Sequence, residues 1–399
     1  MKEYKCVPLG ENVEEMFIGP FGSSLKNECF VDKDEAYCMV YEQKHAIQKA
    51  MDVETRYVNE QKYNELKRFN IHGGDIIVSC RGTIGETFIV PEDAPLGIMH
   101  PSIMKIRLKD GVYDKYYFNL LLKSRLKKHE VEANGSGIKM AISATELGRE
   151  LFPVPTMEEQ QKITDIISGI SDVIEKRKQE LLALDDLIKA RFVEMFGDPV
   201  TNPKGLPIVT LGELSELITK GASPSWQGFS YTDDSSQTIF VTSENVREGY
   251  IDLSLPKYIE DGFNEKQKRS VIHKGDFLIN IVGASIGRAA QFNLNCKANM
   301  NQAAALVRVK DSRVRDKYLL TYLNSDRAQR MYDSMKSDTG RANLSLQDIS
   351  DLLILLPNVE QQIEFETFAN QVDKSKVAVQ KALEQTQTLF DSLIQKYFG

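Results

Sequence analysis

Two copies of a His-x-Gly-Asp motif, His72-Gly-Gly-Asp75 and His273-Lys-Gly-Asp276, place an imidazole and a carboxylate three residues apart, where they could share a proton or a metal. In both copies the Gly-Asp step leads into an apolar run, Ile76-Ile-Val78 or Phe277-Leu-Ile279, which predicts a turn entering a strand rather than a catalytic pair. His45, His100 and His129 have no obvious carboxylate or cysteine companion in sequence. The five cysteines, Cys6, Cys29, Cys38, Cys80 and Cys296, form no Cys-x-x-Cys pair, so reduced thiols are expected and neither a metal cage nor a disulfide framework. No Gly-x-x-x-x-Gly-Lys-Ser/Thr nucleotide loop is present.

A different chemistry is offered by glycine-containing segments that combine backbone N–H groups, hydroxyls and single basic residues, the groups that grip phosphates and base edges. Asn134-Gly-Ser-Gly-Ile-Lys-Met140 and Ser337-Asp-Thr-Gly-Arg-Ala-Asn343 make Lys139, Arg341 and Asn343 candidate contacts, with a surface turn as the plainer role. Lys220-Gly-Ala-Ser-Pro-Ser-Trp226 and its counterpart Gly19-Pro-Phe-Gly-Ser-Ser-Leu-Lys26, expected just after the first helix of each module, add Lys26, Lys220, Ser223 and Trp226. Trp226 is the only tryptophan; exposed, it would stack or wedge against bases, and half-buried it would only pack. Arg81 and Arg288 flank Gly82-Thr-Ile-Gly85 and Gly283-Ala-Ser-Ile-Gly287, where an arginine either pairs with guanine edges or stays solvated or salt-bridged.

The elements that must position these residues come in duplicate. Val7-Pro-Leu-Gly-Glu11 reappears as Val209-Thr-Leu-Gly-Glu213, an offset of 202 residues. Met99 to Asp110 aligns with Met300 to Asp311, Asp114-Lys-Tyr116 with Asp316-Lys-Tyr318, and Pro155 with Glu159-Gln-Gln161 aligns with Pro357 and Glu360-Gln-Gln362. So many matches in one order identify a tandem duplication. Each half opens with short strands and turns, including Ile103 to Leu108 and Leu306 to Val309, and a helix is predicted over Asp114 to His129 and over Asp316 to Met331.

Each half closes with a long helix. Thr156 and Glu159 form a capping box after Pro155, and Asn358 and Gln361 take those places after Pro357. The first stripe runs through Ile163, Ile167, Ile170, Ile174, Leu181, Leu184, Ile188 and Met195 and stops at Gly197. The second runs through Phe365, Phe368, Val372, Val379, Leu383, Phe390, Leu393 and Tyr397. Stripes this narrow need cover, and each helix is the other's nearest partner. The fold class expected is α+β: two mixed α/β modules, each followed by a long helix, with the helices packed as an antiparallel coiled coil. The boundaries read as 1-155 for the first module, 156-197 for its helix, 198-207 for a linker, 208-357 for the second module and 358-399 for the second helix.

Composition supports globular domains: 399 residues, 27% charged and 42% hydrophobic. The net charge of -7 counts against a surface that binds nucleic acid unless the basic groups are local or supplied by partners. No apolar stretch approaches the ~20 residues that span a bilayer and the N-terminus has no apolar signal core, so a cytoplasmic protein without membrane contact is expected.

In its duplicated plan, its Pro-x-x-Glu-Glu-Gln-Gln type helix entries and the joining segment Met195-Phe-Gly-Asp-Pro-Val-Thr-Asn-Pro-Lys-Gly205, the whole chain resembles the specificity subunit of type I restriction-modification systems. The resemblance implies two target-recognition domains that read the parts of a split site in double-stranded DNA, with the helices as a ruler for the unread gap. It also implies a non-catalytic chain: two modification subunits, which would carry S-adenosylmethionine, dock on the helical region, and restriction/translocase subunits join them. The coiled-coil and docking positions are then Ile163, Ile170, Ile174, Leu181, Leu184, Ile188, Phe368, Val372, Val379, Leu383, Phe390 and Leu393, while this chain needs no cofactor or metal of its own. The early loops ending at Lys26 and Trp226 resemble the family's recognition loop.

Two other classes compete. A methyltransferase with its own recognition domains needs a glycine-rich cofactor loop and an Asn/Asp-Pro-Pro-aromatic motif; Phe17-Ile-Gly-Pro-Phe-Gly22 imitates the first weakly, and Asp198-Pro-Val and Asn202-Pro-Lys fail the second. A coiled-coil scaffold that reads no DNA suits the acidic charge, but its loops would not need Lys139, Lys220, Arg288, Arg341 and Asn343.

Overall fold

The structure, a computed structural model, describes residues 4–81, 83–135, 143–198, 201–335 and 343–399. It divides into two compact units, Met1–Lys176 with Ala382–Gly399, and Arg177–Lys381. Each unit holds one α/β module, and the duplication is visible strand by strand.

The first module is built on an antiparallel sheet in the order Val13–Ile18, Ile103–Leu108, Ile76–Ser79, Thr87–Ile89. The second repeats it as Ser215–Lys220, Ala304–Val309, Phe277–Asn280, Ala289–Gln291. The apolar runs at Ile76 and Phe277 are central strands, and every residue in them is buried, as a continuous apolar run requires. A smaller mixed sheet lies in each module around a parallel pair, Cys38–Tyr41 with Gly97–Met99 and Thr238–Val241 with Ala298–Met300. A two-stranded clasp then joins each module's beginning to its end: Cys6–Pro8 with Leu151–Pro153, and Ile208–Thr210 with Leu353–Leu355.

In the first module Lys115–Gly135 is one helix, as the sequence predicts. Its counterpart is not: the single helix expected over Asp316 to Met331 is two, Asp316–Leu323 and Asp326–Met335. The break has a local cause. The Asn324 amide donates to the carbonyls of Ala289 (2.9 Å) and Leu320 (3.0 Å) and accepts from the Ala289 N–H (2.9 Å), tying the chain to the neighbouring strand.

The long helices span Met157–Phe196 and Val359–Phe398, 40 residues each and therefore about 60 Å long. Thr156 and Glu159 cap the first reciprocally, at 3.1 and 3.3 Å, and Asn358 accepts from the Gln361 N–H at 2.9 Å. Gly197, at φ 82°, ends the first helix in the left-handed region.

Behind the caps sits a second device that spacing alone did not reveal. Gln160, fully buried, accepts from the Asp114 N–H (2.8 Å) and donates to the carbonyls of Val112 and Pro155 (both 2.9 Å). Gln362 repeats this with the Arg315 N–H and the carbonyls of Arg313 and Pro357, all at 2.8 Å. The structural equivalence is thus Gln160 with Gln362, one residue off the Glu-Gln-Gln alignment. The glutamine fastens the root of each long helix to its own module.

The two helices pack together, and within each unit the contacts are specific. In the second unit Phe192 and Phe196 of the first helix meet Phe365 of the second at ring-centroid distances of 5.4 and 5.7 Å. Arg191 pairs with Glu364 (2.7 Å) and Lys376 pairs with Asp185, so the helices run antiparallel. In the first unit Ile163 and Ile167 share a core with Phe390, Leu393, Ile394, Tyr397 and Phe398. Of the predicted stripe, Ile163, Ile174, Ile188 and Val372 are buried, and Ile170, Leu181, Leu184, Phe368, Val379, Leu383, Phe390 and Leu393 are half-buried. Among the described residues no helix is long and apolar enough to cross a membrane.

Candidate nucleic-acid interface

Strand register decides which loops emerge together. In the second module Lys220 faces Ala305, Asn280 faces Ala304 and Ile279 faces Ala289. The last residue of one strand, the end of the central strand and the start of its hairpin partner therefore lie at one end of the sheet, and the loop after Lys220 and the turn 281–288 both leave from there. Asn343 joins them through a β-bridge to Val282, and the Leu344 N–H donates to the Ile281 carbonyl at 2.9 Å. Lys220, Arg288 and Asn343 are exposed and Ser223 is partly so, its hydroxyl 3.1 Å from that of Ser225. Trp226 is 85% exposed, which removes the packing alternative.

The first module repeats the geometry, with Ile18 facing Met104, Ser79 facing Ile103 and Val78 facing Thr87. The loop carrying Lys26 and the turn carrying Arg81 leave from this end; both side chains are exposed, Lys26 with its ammonium 4.0 Å from Glu28. Arg81 sits at the entrance of its turn and Arg288 at the exit of the corresponding one, so they are not equivalent residues. Lys139 and Arg341 lie outside the described residues.

One expectation is corrected. The loops ending at Lys26 and Trp226 follow edge strands, Val13–Ile18 and Ser215–Lys220, and not helices; only the single turns Leu9–Glu11 and Leu211–Leu214 precede those strands. Both strands are held in ladder pairing against the adjacent central strand, which overrides any helical reading of six residues. Gly19 and Gly221 end them, each with its backbone against a carbonyl, of His100 or Met300, that leaves no room for a Cβ.

The His-x-Gly-Asp motifs are turns, as predicted, and the structure supplies their chemistry. Asp75, buried, accepts from the His72 N–H (2.8 Å) and takes a bidentate pair of bonds from Arg107 (both 2.7 Å). Asp276 does the same with the His273 N–H (2.7 Å) and Arg308 (2.8 and 2.7 Å). Each carboxylate is spent closing a turn and anchoring a central strand. Among the described residues no group of His, Cys, Asp and Glu could hold a metal ion.

Sequence reasoning overlooked several residues at or near these sheet ends. Phe21 is 87% exposed in the first module's loop; its signal was the Gly19-Pro20-aromatic order, which echoes Gly221, Pro224 and Trp226. His100 and His45 are held below the usual imidazole value, chiefly by burial. His100 lies 2.7 Å from the Ser102 hydroxyl, and His45 receives the Glu42 N–H at 3.0 Å. Burial pushes the Glu42 carboxyl up, but bonds from Lys44 and Arg56 hold it below its ordinary range. The second module closes the same turn with neutral groups, the Thr242 N–H donating to Asn245 at 2.8 Å.

The family model described as the type I restriction modification DNA specificity domain matches the chain twice, over residues 12–184 and 203–386. The chain is 23% identical over 354 residues to the type I restriction enzyme EcoBI specificity subunit of Escherichia coli, covering 82% of this chain and 73% of that one. It is 20% identical over 313 residues to the MjaVIII specificity subunit of Methanocaldococcus jannaschii, covering 74% and 71%. Among solved structures it resembles the type I restriction-modification S subunit from M. genitalium, at a TM-score of 0.51 and 16% identity over 100% of this chain and 96% of that one. A chain from a structure on complex assembly and conformational transition of the type I R-M system aligns at a TM-score of 0.63 and 18% identity, covering 99% and 97%.

Proposed function

The chain belongs to the type I restriction modification DNA specificity family, and from that premise we propose that it reads a split DNA site, one part through each module, at the loop-bearing ends of the two sheets. Recognition of DNA sequence and the absence of catalysis in the chain itself follow from the family. The observation that carries the finer reading is the duplication of the interface: the same strands end at the same register in both modules, and the segments leaving there carry exposed basic and aromatic residues, Lys26, Arg81 and Phe21 in the first and Lys220, Arg288 and Trp226 in the second. A scaffold would have no use for that repetition.

The long helices act as the ruler that fixes the unread gap, and the buried Gln160 and Gln362 make each junction between module and helix stiff enough for a helix length to set a distance on DNA. Two modification subunits, carrying S-adenosylmethionine, dock along the helices, and restriction/translocase subunits complete the cytoplasmic complex. Support for two near-equivalent docking faces comes from Leu187 and Leu389, which stand 202 residues apart in the repeat and are exposed at 45% and 51%.

The test is genome-wide mapping of methylated adenine in a host carrying the partner modification gene, with and without this chain. A split motif with a fixed gap, present only with the chain, is the expected result. A continuous motif, or no chain-dependent methylation from a verified competent partner, overturns the reading.

A further inference from the structure

Resting on that reading of the sheet ends as the DNA-facing surface, we propose that Phe21 and Trp226 are equivalent stacking residues, each seating its ring against base faces in the half-site read by its own module. They are the two most exposed aromatic side chains described, at 87% and 85%. They also fall in the corresponding loop of the two copies, the one that follows Val13–Ile18 or Ser215–Lys220, Phe21 two residues after Gly19 and Trp226 five after Gly221. The surrounding sequences differ, Gly-Pro-Phe-Gly-Ser-Ser against Gly-Ala-Ser-Pro-Ser-Trp, yet each holds one exposed ring.

The loops present the rings firmly. Each begins at a glycine packed against a backbone carbonyl and contains a buried proline, Pro20 immediately before Phe21 and Pro224 two residues before Trp226. After Phe21 the chain closes a tight turn, the Ser24 N–H donating to the Phe21 carbonyl at 2.8 Å, and Leu25 is buried beneath it. Around Trp226 the Phe229 N–H donates to the Pro224 carbonyl (3.0 Å) and Lys266 donates to the Gln227 carbonyl (2.8 Å). A backbone fixed on both sides with a ring left in water has already met the ordering cost of binding, which favours a contact surface over a folding role.

The charges beside the rings favour nucleic acid. Lys26 lies five residues after Phe21, its ammonium 4.0 Å from Glu28, and Lys220 lies six residues before Trp226; both are exposed, so each ring-bearing segment also offers an ammonium to a phosphate. Because neither ring is packed, replacing it leaves the modules folded.

The experiment uses the chain assembled with its modification subunits and duplexes carrying the mapped site, with 2-aminopurine placed in turn at each step of each half-site. The wild-type complex is expected to change 2-aminopurine emission in both half-sites relative to the free duplex. Phe21→Ala should abolish the change in one half-site and Trp226→Ala in the other, each weakening site-specific binding roughly tenfold, while Trp226→Phe retains the signal. Alanine variants that bind with wild-type affinity and unchanged emission overturn the proposal, as do variants that lose modification subunits on size-exclusion chromatography, which would make the rings a protein contact. A wild-type complex that shows no site-specific binding would overturn the DNA-reading assignment on which the proposal rests.

Discussion

The two modules differ at one core position in a way that makes a quantitative test of buried charge. In the first module Lys105 is fully buried, its ammonium 2.6 Å from Glu15, 2.9 Å from the Asn70 carbonyl and 4.8 Å from the Phe17 ring centre. Strand register makes Glu15 equivalent to Leu217 and Lys105 equivalent to Leu306, so the second module fills the same space with two leucines. Glu15→Leu leaves an ammonium in the core with one carbonyl and a ring face. Removing one partner of a buried pair costs about 3–5 kcal/mol. Lys105→Leu should cost less, because Glu15 is 37% exposed and keeps Arg107 at 2.9 Å. The double replacement copies the second module and is expected to be neutral or more stable than wild type by up to about 4 kcal/mol.

Differential scanning calorimetry of the full chain and its three variants reads this out. A transition of a unit this size moves by roughly 2–4 °C per kcal/mol, so Glu15→Leu should lower the first unit's transition by roughly 6 °C or more and the second substitution should restore it. A double variant as unstable as Glu15→Leu alone would refute the reasoning, since it would show that the cost lay in shape and not in an unpaired charge. The pH dependence carries its own sign. Burial raises the Glu15 carboxyl, but the Lys105 bond and charge, with Arg107, hold it net below its ordinary value. The pair's contribution is therefore complete above about pH 4.5 and is lost as pH falls through the depressed value.

Three further outcomes are expected. His45 and His100 are both held below 6.5, chiefly by burial, so the unfolded chain binds protons first and the first unit loses stability as pH falls below about 6.5; hydrogen exchange followed from about pH 7.5 to 5.5 should show opening of that unit becoming faster. Gln160→Ala or Gln362→Ala takes the side-chain partner from one half-buried N–H and two carbonyls, and should destabilise its own unit by about 2–3 kcal/mol in urea titration while the other transition stays in place. Deleting one heptad from each long helix, about 10 Å of length, should shorten the mapped gap or abolish methylation with both half-sites unchanged; altered half-sites with an unaltered gap would count against the ruler.

The parts of the fold legible in the sequence are those fixed by local pattern. The strands after Gly-Asp, the caps at Thr156 and Asn358 and the helical stripes need only neighbours a few residues away, the repeat needs only the order of its matches, and all are present. What escaped depends on partners far along the chain. Asp75 and Arg107 are 32 residues apart and Gln160 and Asp114 are 46 apart, and nothing in the spacing of either residue announces the other. Lys105 reads as a surface charge until the register of its strand places it inward beside Ile77. Of the interface, basic and amide composition pointed to loops that leave the same end of each sheet, while exposure, which separates Trp226 and Phe21 from packing aromatics, is fixed only once the chain is folded.

A duplicated chain also contains its own comparison, because two copies that share a scaffold reveal which groups the scaffold requires. Both modules keep the Asp–Arg turn anchor, the clasp and the helix-root glutamine, each with the same partners. They part company towards the loop-bearing ends. One turn is closed by the Glu42 N–H on the His45 ring, with the Glu42 carboxylate paired to Arg56 and Lys44, and the other by the Thr242 N–H on the Asn245 amide oxygen. Arginine enters one hairpin turn at Arg81 and leaves the other at Arg288, and the helix beside the second hairpin breaks at Asn324, which bonds Ala289 next to Arg288. Base edges are read by the direction and type of donor and acceptor groups, and these have diverged while the frame that aims them has not. The proposed reading therefore expects two unlike half-sites, with the asymmetry arising from these few side chains rather than from the placement of the strands that carry them.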